Sequence, residues 1–201
     1  MNKKVLIVGG VAGGASAVAR LRRLDEEAEI IMFEKGEYIS FANCGLPYYI
    51  GDVIPTREAL IVQTVEQMSR KFNLDIRNLS EVISINKEEK KIRVKNYRTG
   101  EVYEESYDTL VLSPGAKPIK PPIVGIENCK SLFTLRNIPD MDNIKSFLEE
   151  EKPKRAIVIG GGFIGLEMAE NLHEKGVNVT LVEGSNQVMG PLDIEMASII
   201  H

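Results

Sequence analysis

Two glycine-rich stretches carry the chemistry that is easiest to read in this 201-residue sequence. The second is a full G-x-G-x-x-G, with Gly160, Gly162 and Gly165 directly after the apolar run Ala156-Ile157-Val158-Ile159. In that spacing the first glycine makes a sharp turn, the second lets a pyrophosphate approach the backbone, and the third packs helix against strand. The helix that follows offers unpaired N–H groups and a partial positive charge to the phosphate. Phe163 and Ile164 lie inside this turn, where the dinucleotide would pass. Glu183 comes 23 residues after Gly160, where a carboxylate accepts hydrogen bonds from ribose hydroxyls. The first stretch keeps the outer glycines, Gly9 and Gly14, but places Val11 between them. Gly10 and Gly13 keep that backbone slim, and Glu34 follows 25 residues after Gly9. Two such units in one chain point to an enzyme holding two dinucleotides, FAD and NAD(P)H. A duplicated scaffold that binds a single nucleotide is the simpler alternative.

The elements that must position these turns are legible around them. Val5–Val8 is a short apolar run of the kind found in buried parallel strands, Ala15–Leu24 reads as a helix, and Ile30–Phe33 as a second strand. The pattern returns about 150 residues later as Ala156–Ile159, Leu166–Lys175 and Val177–Val182, with Gly176 placed to stop the helix. Between them, Glu81–Asn86, Lys90–Asn96 and Glu101–Tyr107 alternate polar and apolar residues, which predicts an antiparallel meander with one wet face. Thr64-Val65-Glu66-Gln67 fits a capping box opening a helix to about Phe72. Pro114, Pro118, Pro121 and Pro122 stiffen a connector, and a helix is expected over Pro139–Glu150, its acidic end a solvated face. The fold class is therefore α/β, two Rossmann-like βαβ units with an inserted antiparallel meander. The domains expected are 1–150 for FAD and 151–201 for the start of an NAD(P) unit.

Composition narrows the function from outside. The chain has 43% apolar and 27% charged residues, ordinary globular material. Its 29 acidic residues outnumber 25 basic ones for a net charge of −4, which leaves no basic excess to neutralise nucleic-acid phosphates. No apolar run approaches the roughly 20 residues of a membrane span, and Met1–Lys4 lead straight into a strand without a signal-peptide layout, so a cytoplasmic protein is expected. Cys44 and Cys129 lie far apart, and two cysteines cannot make a zinc site alone, so no metal is expected. The only histidines are His173 and His201, and neither is assigned a role. The chemistry must come from another nucleophile or from a cofactor.

Between the glycine turns lies Ser40-Phe41-Ala42-Asn43-Cys44-Gly45-Leu46-Pro47-Tyr48-Tyr49-Ile50-Gly51. This string resembles the signature S-F-x-x-C-x-x-P-Y-x-x-G of the coenzyme A disulfide reductases, a single-cysteine branch of the pyridine nucleotide-disulfide oxidoreductases. Tyr107–Pro118 is similar to that family's second flavoprotein motif. The resemblance implies that Cys44 is the redox residue. Two-cysteine relatives use a C-x4-C pair, whereas the next cysteine here is Cys129. A single thiol can form a mixed disulfide with coenzyme A. That bond is then split by electrons from the flavin, which releases coenzyme A and leaves a thiolate to attack coenzyme A disulfide. A cysteine opening a helix has its thiolate favoured by the helix dipole, and Cys44-Gly45-Leu46 is placed to open one.

The same resemblance implies FAD contacts at Gly9, Val11, Ala12, Gly13, Gly14, Glu34, Lys35, Val82, Ser113 and Gly115. It implies coenzyme A contacts at Ser16, Arg20, Arg23, Ser40, Asn43 and Lys71, of which the three cations suit nucleotide phosphates. NADH peroxidases and oxidases of this architecture carry a histidine in the first glycine turn, where this chain has Ala12. That weakens an oxidase or peroxidase reading without removing it. By resemblance, reduction of coenzyme A disulfide remains, or of a persulfide or polysulfide as in relatives that bear a C-terminal rhodanese domain; a nucleotide-binding, thiol-sensing fragment is the non-enzymatic alternative. Family members are more than twice this long. The resemblance therefore implies a C-terminal FAD segment and a dimerisation domain outside this chain, with a homodimer expected for the full-length protein.

Overall fold

The structure, a computed structural model, describes residues 3–201. In chain order its strands are β1 Lys4–Val8, β2 Glu29–Phe33, β3 Asp75–Arg77, β4 Ser80–Asn86, β5 Lys91–Asn96, β6 Val102–Ser106, β7 Thr109–Leu112, β8 Arg155–Ile159 and β9 Asn178–Val182. Its α-helices are α1 Ala12–Leu24, α2 Leu46–Ile50, α3 Val65–Phe72, α4 Ile138–Glu151, α5 Phe163–Glu174 and α6 Ile194–Ala197. They fall into two compact units, Met1–Ala42 with Ile61–Ala116, and Asn43–Leu60 with Lys117–His201.

In the first unit β3, β2, β1 and β7 form a wholly parallel sheet in that order. Val5, Leu6 and Ile7 are all buried because both faces of the sheet are covered. One face packs against α1 and α3 through Val5, Ile7, Val18, Met32 and Met68. The other presents Leu6, Ile31 and Phe33 to Ile92 and Val94 of β5. Those two β5 residues are the inward positions of the alternating pattern, and the antiparallel ladder β4-β5-β6 has the expected wet face. The Thr64 capping box is formed, with Thr64 Oγ1 accepting from the Gln67 N–H. Arg22 ties the ends of α1 and α3 together by donating to the carbonyls of Phe72 and Asn73, each at 2.8 Å.

In the second unit β8 and β9 pair in parallel around α5, the second βαβ unit. Gly176 ends α5 with φ 77°, a conformation only glycine adopts freely. Asn137 caps α4 by accepting from the Asp140 N–H at 2.9 Å.

Two helix starts differ from the sequence expectation. Helices α1 and α5 each begin three residues earlier, at Ala12 and Phe163, so Gly13, Gly14 and Gly165 belong to their first turns. Small residues hide a helix start from an apolar-period reading, because they add nothing to the stripe. The last helix among the described residues is the four-residue α6. No helix among the described residues is long and apolar enough to cross a membrane.

Candidate functional site

At the first turn, β1 runs into Gly9, whose φ of 98° favours glycine. A Cβ on Gly9 would lie 1.9 Å from the carbonyl oxygen of Ser113, and one on Gly14 would lie 1.7 Å from the Gly9 carbonyl. Neither position admits a side chain. The Glu34 carboxylate closes over the turn: Oε2 accepts the Gly10 N–H and Oε1 the Gly36 N–H, both at 2.7 Å. The rim is completed by Ser113, which lies against Gly13 and donates its N–H to the Val8 carbonyl at 2.7 Å. Val11 is the N-cap of α1 and makes no side-chain cap, and Ala12 opens the helix. The other expected FAD residues are placed as follows. Gly115 has φ 70° just beyond β7, Lys35 pairs with Glu81 at 2.7 Å, and Val82 packs on the Leu6–Phe33 cluster.

The second turn repeats the first. Gly160 has φ 107°, and a Cβ on Gly165 would lie 1.8 Å from the Gly160 carbonyl. A Cβ on Gly162 would meet nothing within 4 Å, although Gly162 is the N-cap of α5 and leaves its first N–H groups without a side-chain cap. This open space over uncapped N–H groups is what a pyrophosphate fills, so the residues present fit a dinucleotide. Glu183 Oε2 accepts the Gly161 N–H at 2.6 Å, and Oε1 accepts the Ser185 N–H at 2.7 Å and hydroxyl at 2.8 Å. Those donors, the Gly161 N–H foremost, hold the Glu183 carboxyl down at about 2, so it stays charged at neutral pH. Phe163 and Ile164 are exposed beside the turn.

Cys44 is exposed and free, in a 3-10 turn Asn43–Gly45 that runs into α2, one residue ahead of the Gly45 N-cap. The expected helix opening is therefore present. Beside it, Asn43 Oδ1 is, among the described residues, the one buried side-chain polar atom without a hydrogen-bond partner. An unsatisfied buried acceptor costs about 1–3 kcal/mol, and a donor from a bound molecule would relieve it. Sequence reading named Asn43 only through resemblance.

It missed what holds this segment in its unit. Pro47, Leu46 and Ile50 are buried, and Glu167 of α5 pushes the Tyr48 phenol above its ordinary value, so Tyr48 keeps its proton. A Cβ on Gly51 would lie 2.1 Å from Oδ1 of the buried Asn171 of α5. Gly51→Ala is expected to cost about 1–3 kcal/mol, read as a lowered melting temperature, because Asn171 is held by its own bond to the Glu167 carbonyl at 2.8 Å. Only the fold juxtaposes these residues, and nothing in their local spacing announces them.

Of the expected coenzyme A cations, Arg23 and Lys71 line one open cavity of about 680 Å³ together with Arg22, Glu26, Arg70, Phe72 and Asn73. Arg20 is exposed on α1 but does not line it, and Ser16 is exposed on the same helix. Ser40 takes a left-handed φ of 45°, donating its N–H to the Gly10 carbonyl at 3.1 Å. Cys129 is exposed just after another 3-10 turn, Ile126–Asn128, and His173 is exposed on α5.

Comparison with known proteins places the chain in a family. The chain is 44% identical over 196 residues to coenzyme A disulfide reductase of Staphylococcus epidermidis, covering 98% of this chain and 44% of that protein. It superimposes on reduced Bacillus anthracis CoADR-RHD with a TM-score of 0.97 at 67% identity, covering all of this chain and 36% of that one. A NAD-dependent persulfide reductase from A. fulgidus follows with a TM-score of 0.91 at 36% identity, over 98% of this chain and 36% of that one. The chain thus spans less than half the length of these relatives. Residues 3–201 match the description of one family throughout, and the chain belongs to the pyridine nucleotide-disulphide oxidoreductases.

Proposed function

We propose that this chain is the FAD- and NAD-turn portion of a flavoprotein that reduces coenzyme A disulfide, or a related persulfide, with NAD(P)H through Cys44. The observation that carries the reading is the exposed, unpaired Cys44 thiol next to the unsatisfied Asn43 Oδ1. The relatives named for coenzyme A disulfide and persulfide reduction support the substrate class. In this reading residues 1–150 serve FAD and residues 151–201 open the NAD(P)H unit. Glu34 and Glu183 orient the two riboses, and the uncapped starts of α1 and α5 hold the pyrophosphates.

Bound FAD, charged by NAD(P)H, supplies an electron pair. The chain's own part begins with the Cys44 thiolate attacking one sulfur of coenzyme A disulfide. One coenzyme A leaves as a thiolate, and Cys44 carries the other as a mixed disulfide. Two electrons break that bond, which frees the second coenzyme A and restores the Cys44 thiolate. Each turnover consumes one disulfide, one NAD(P)H and one proton and gives two thiols. The anionic coenzyme A would lean on Arg20, Arg23 and Lys71, with Ser16, Ser40 and Asn43 as polar contacts. The full-length protein acts as a homodimer in the cytoplasm, where thiols such as Cys44 stay reduced.

Steady-state assays of the full-length protein with coenzyme A disulfide, coenzyme A persulfide and oxygen as acceptors test the reading. Reduction of the coenzyme A species at rates well above that of oxygen is expected. Fast oxygen consumption with inert coenzyme A disulfide would favour an oxidase instead.

Cofactor choice follows from Glu183. Its charged carboxylate stands where a 2′-phosphate would go, and Gly184-Ser185-Asn186 supply no cation. NADH is expected to exceed NADPH in kcat/KM by about ten-fold or more, since one unpaired, repelled phosphate is worth at least ~1.4 kcal/mol. Equal kcat/KM values for the two would contradict this.

A further inference from the structure

The residues just after the cysteine helix tie it to two other helices of its unit. Asp52 adopts the left-handed conformation at φ 65°, where aspartate and asparagine are enriched. Its carboxylate accepts from Lys145 Nζ of α4 at 2.5 Å and from Nζ of Lys175, the C-cap of α5. The lysine side chains are only 14% and 22% exposed, so two cations withdrawn from water share this carboxylate, with Glu149 farther from Lys145 at 3.9 Å. Lys145 also donates to the Tyr49 carbonyl at 3.0 Å and stands 4.4 Å from the centre of the Tyr49 ring. Just beyond, the N–H groups of Val53 and Ile54 donate to the Tyr48 carbonyl at 2.9 and 3.1 Å. On the same side Gly51 lies against Asn171 of α5.

These contacts join the turn that carries Cys44 to the helix that opens at Gly162. We propose that Asp52 is a positioning residue whose two-lysine clasp sets where the Cys44 turn sits on α5. The proposal rests on the reading of Cys44 as the redox thiol. Chemistry at one sulfur needs that atom held in place, and displacements on the order of 1 Å cost up to about a hundred-fold in rate. A lone exposed ion pair would do little of this. Here one carboxylate gathers two mostly buried lysines from two helices, and one of the lysines also grips the cysteine helix through its backbone and a ring.

The test compares Asp52→Asn and Asp52→Ala with wild type in the full-length holoenzyme, at matched flavin content. Asparagine keeps the left-handed backbone and an acceptor, so Asp52→Asn isolates the charge. Hydrogen exchange over residues 43–54 is expected to quicken by about ten-fold in both variants while the interior of α5, residues 166–172, stays protected. Turnover with coenzyme A disulfide is expected to fall by about ten-fold or more with KM for NADH unchanged. Wild-type exchange over 43–54 would overturn the clasp. Faster exchange with wild-type kcat would reduce Asp52 to a structural tie, and a KM for NADH rising in step with the loss of kcat would place the damage in the nucleotide turn. A wild-type enzyme inert to coenzyme A disulfide would sink the proposed function instead, and the exchange data would then decide the clasp by themselves.

Discussion

Replacing Cys44 by serine in the full-length protein is expected to lower NADH-dependent reduction of coenzyme A disulfide by on the order of 10⁴-fold or more, the scale on which removal of a nucleophile acts. Serine is nearly the same size, and Cys44 is exposed, so the substitution disturbs no core. Its hydroxyl cannot form a disulfide, so the mixed-disulfide step has no substitute, and Cys129 lies 85 residues away in sequence outside the signature. FAD content and the melting temperature should stay at wild-type values. Near-normal turnover in Cys44→Ser would remove the mechanism altogether.

The second large effect separates two glycines of one motif. Gly162→Asp is expected to raise KM for NADH by about a hundred-fold or more while leaving the fold intact or slightly stabilised. The backbone at Gly162 is extended, at φ −82° and ψ −174°, the conformation of a helix N-cap, and there is open space for a side chain. Aspartate caps helices well, and relative to glycine it contributes a few tenths of a kcal/mol. The same carboxylate occupies the N–H groups and repels the pyrophosphate, so stability and binding should move in opposite directions. Gly165→Ala should instead lower stability, since its Cβ would sit 1.8 Å from the Gly160 carbonyl and force the backbone apart. Melting curves and NADH titrations of the two variants read this directly. A folded Gly162→Asp that binds NADH as wild type does would mean that the pyrophosphate does not cross this turn.

How much was legible depends on whether a residue's role is written in its neighbours. Gly9, Gly14, Gly160, Gly162, Gly165, Glu34 and Glu183 are readable because a sharp turn, a close backbone approach and an acid at the end of the next strand each demand a residue type at a fixed spacing. The matching acid bonds, Glu34 to Gly10 and Glu183 to Gly161, show the duplication extending to individual hydrogen bonds. The meander was visible because Ile92 and Val94 alternate with polar neighbours. By contrast β3 is three residues, Asp-Ile-Arg, too short to show any period, and it takes its place from pairing with β2. Asp52, Lys145, Lys175 and Asn171 are up to 123 positions apart, and an aspartate after a glycine reads locally as an ordinary turn. The orphaned Asn43 Oδ1 is likewise a property of the folded surroundings, not of the string around it.

The central claim is that Cys44 alternates between a thiolate and a mixed disulfide with coenzyme A. It is tested most directly by intact and peptide mass spectrometry of the full-length protein, oxidised with coenzyme A disulfide and then treated with NADH. One adduct of coenzyme A mass is expected on the peptide carrying Cys44, formed once per chain and removed by NADH. A Cys44 peptide that stays bare, or is oxidised only to sulfenic or sulfinic acid, would contradict the account.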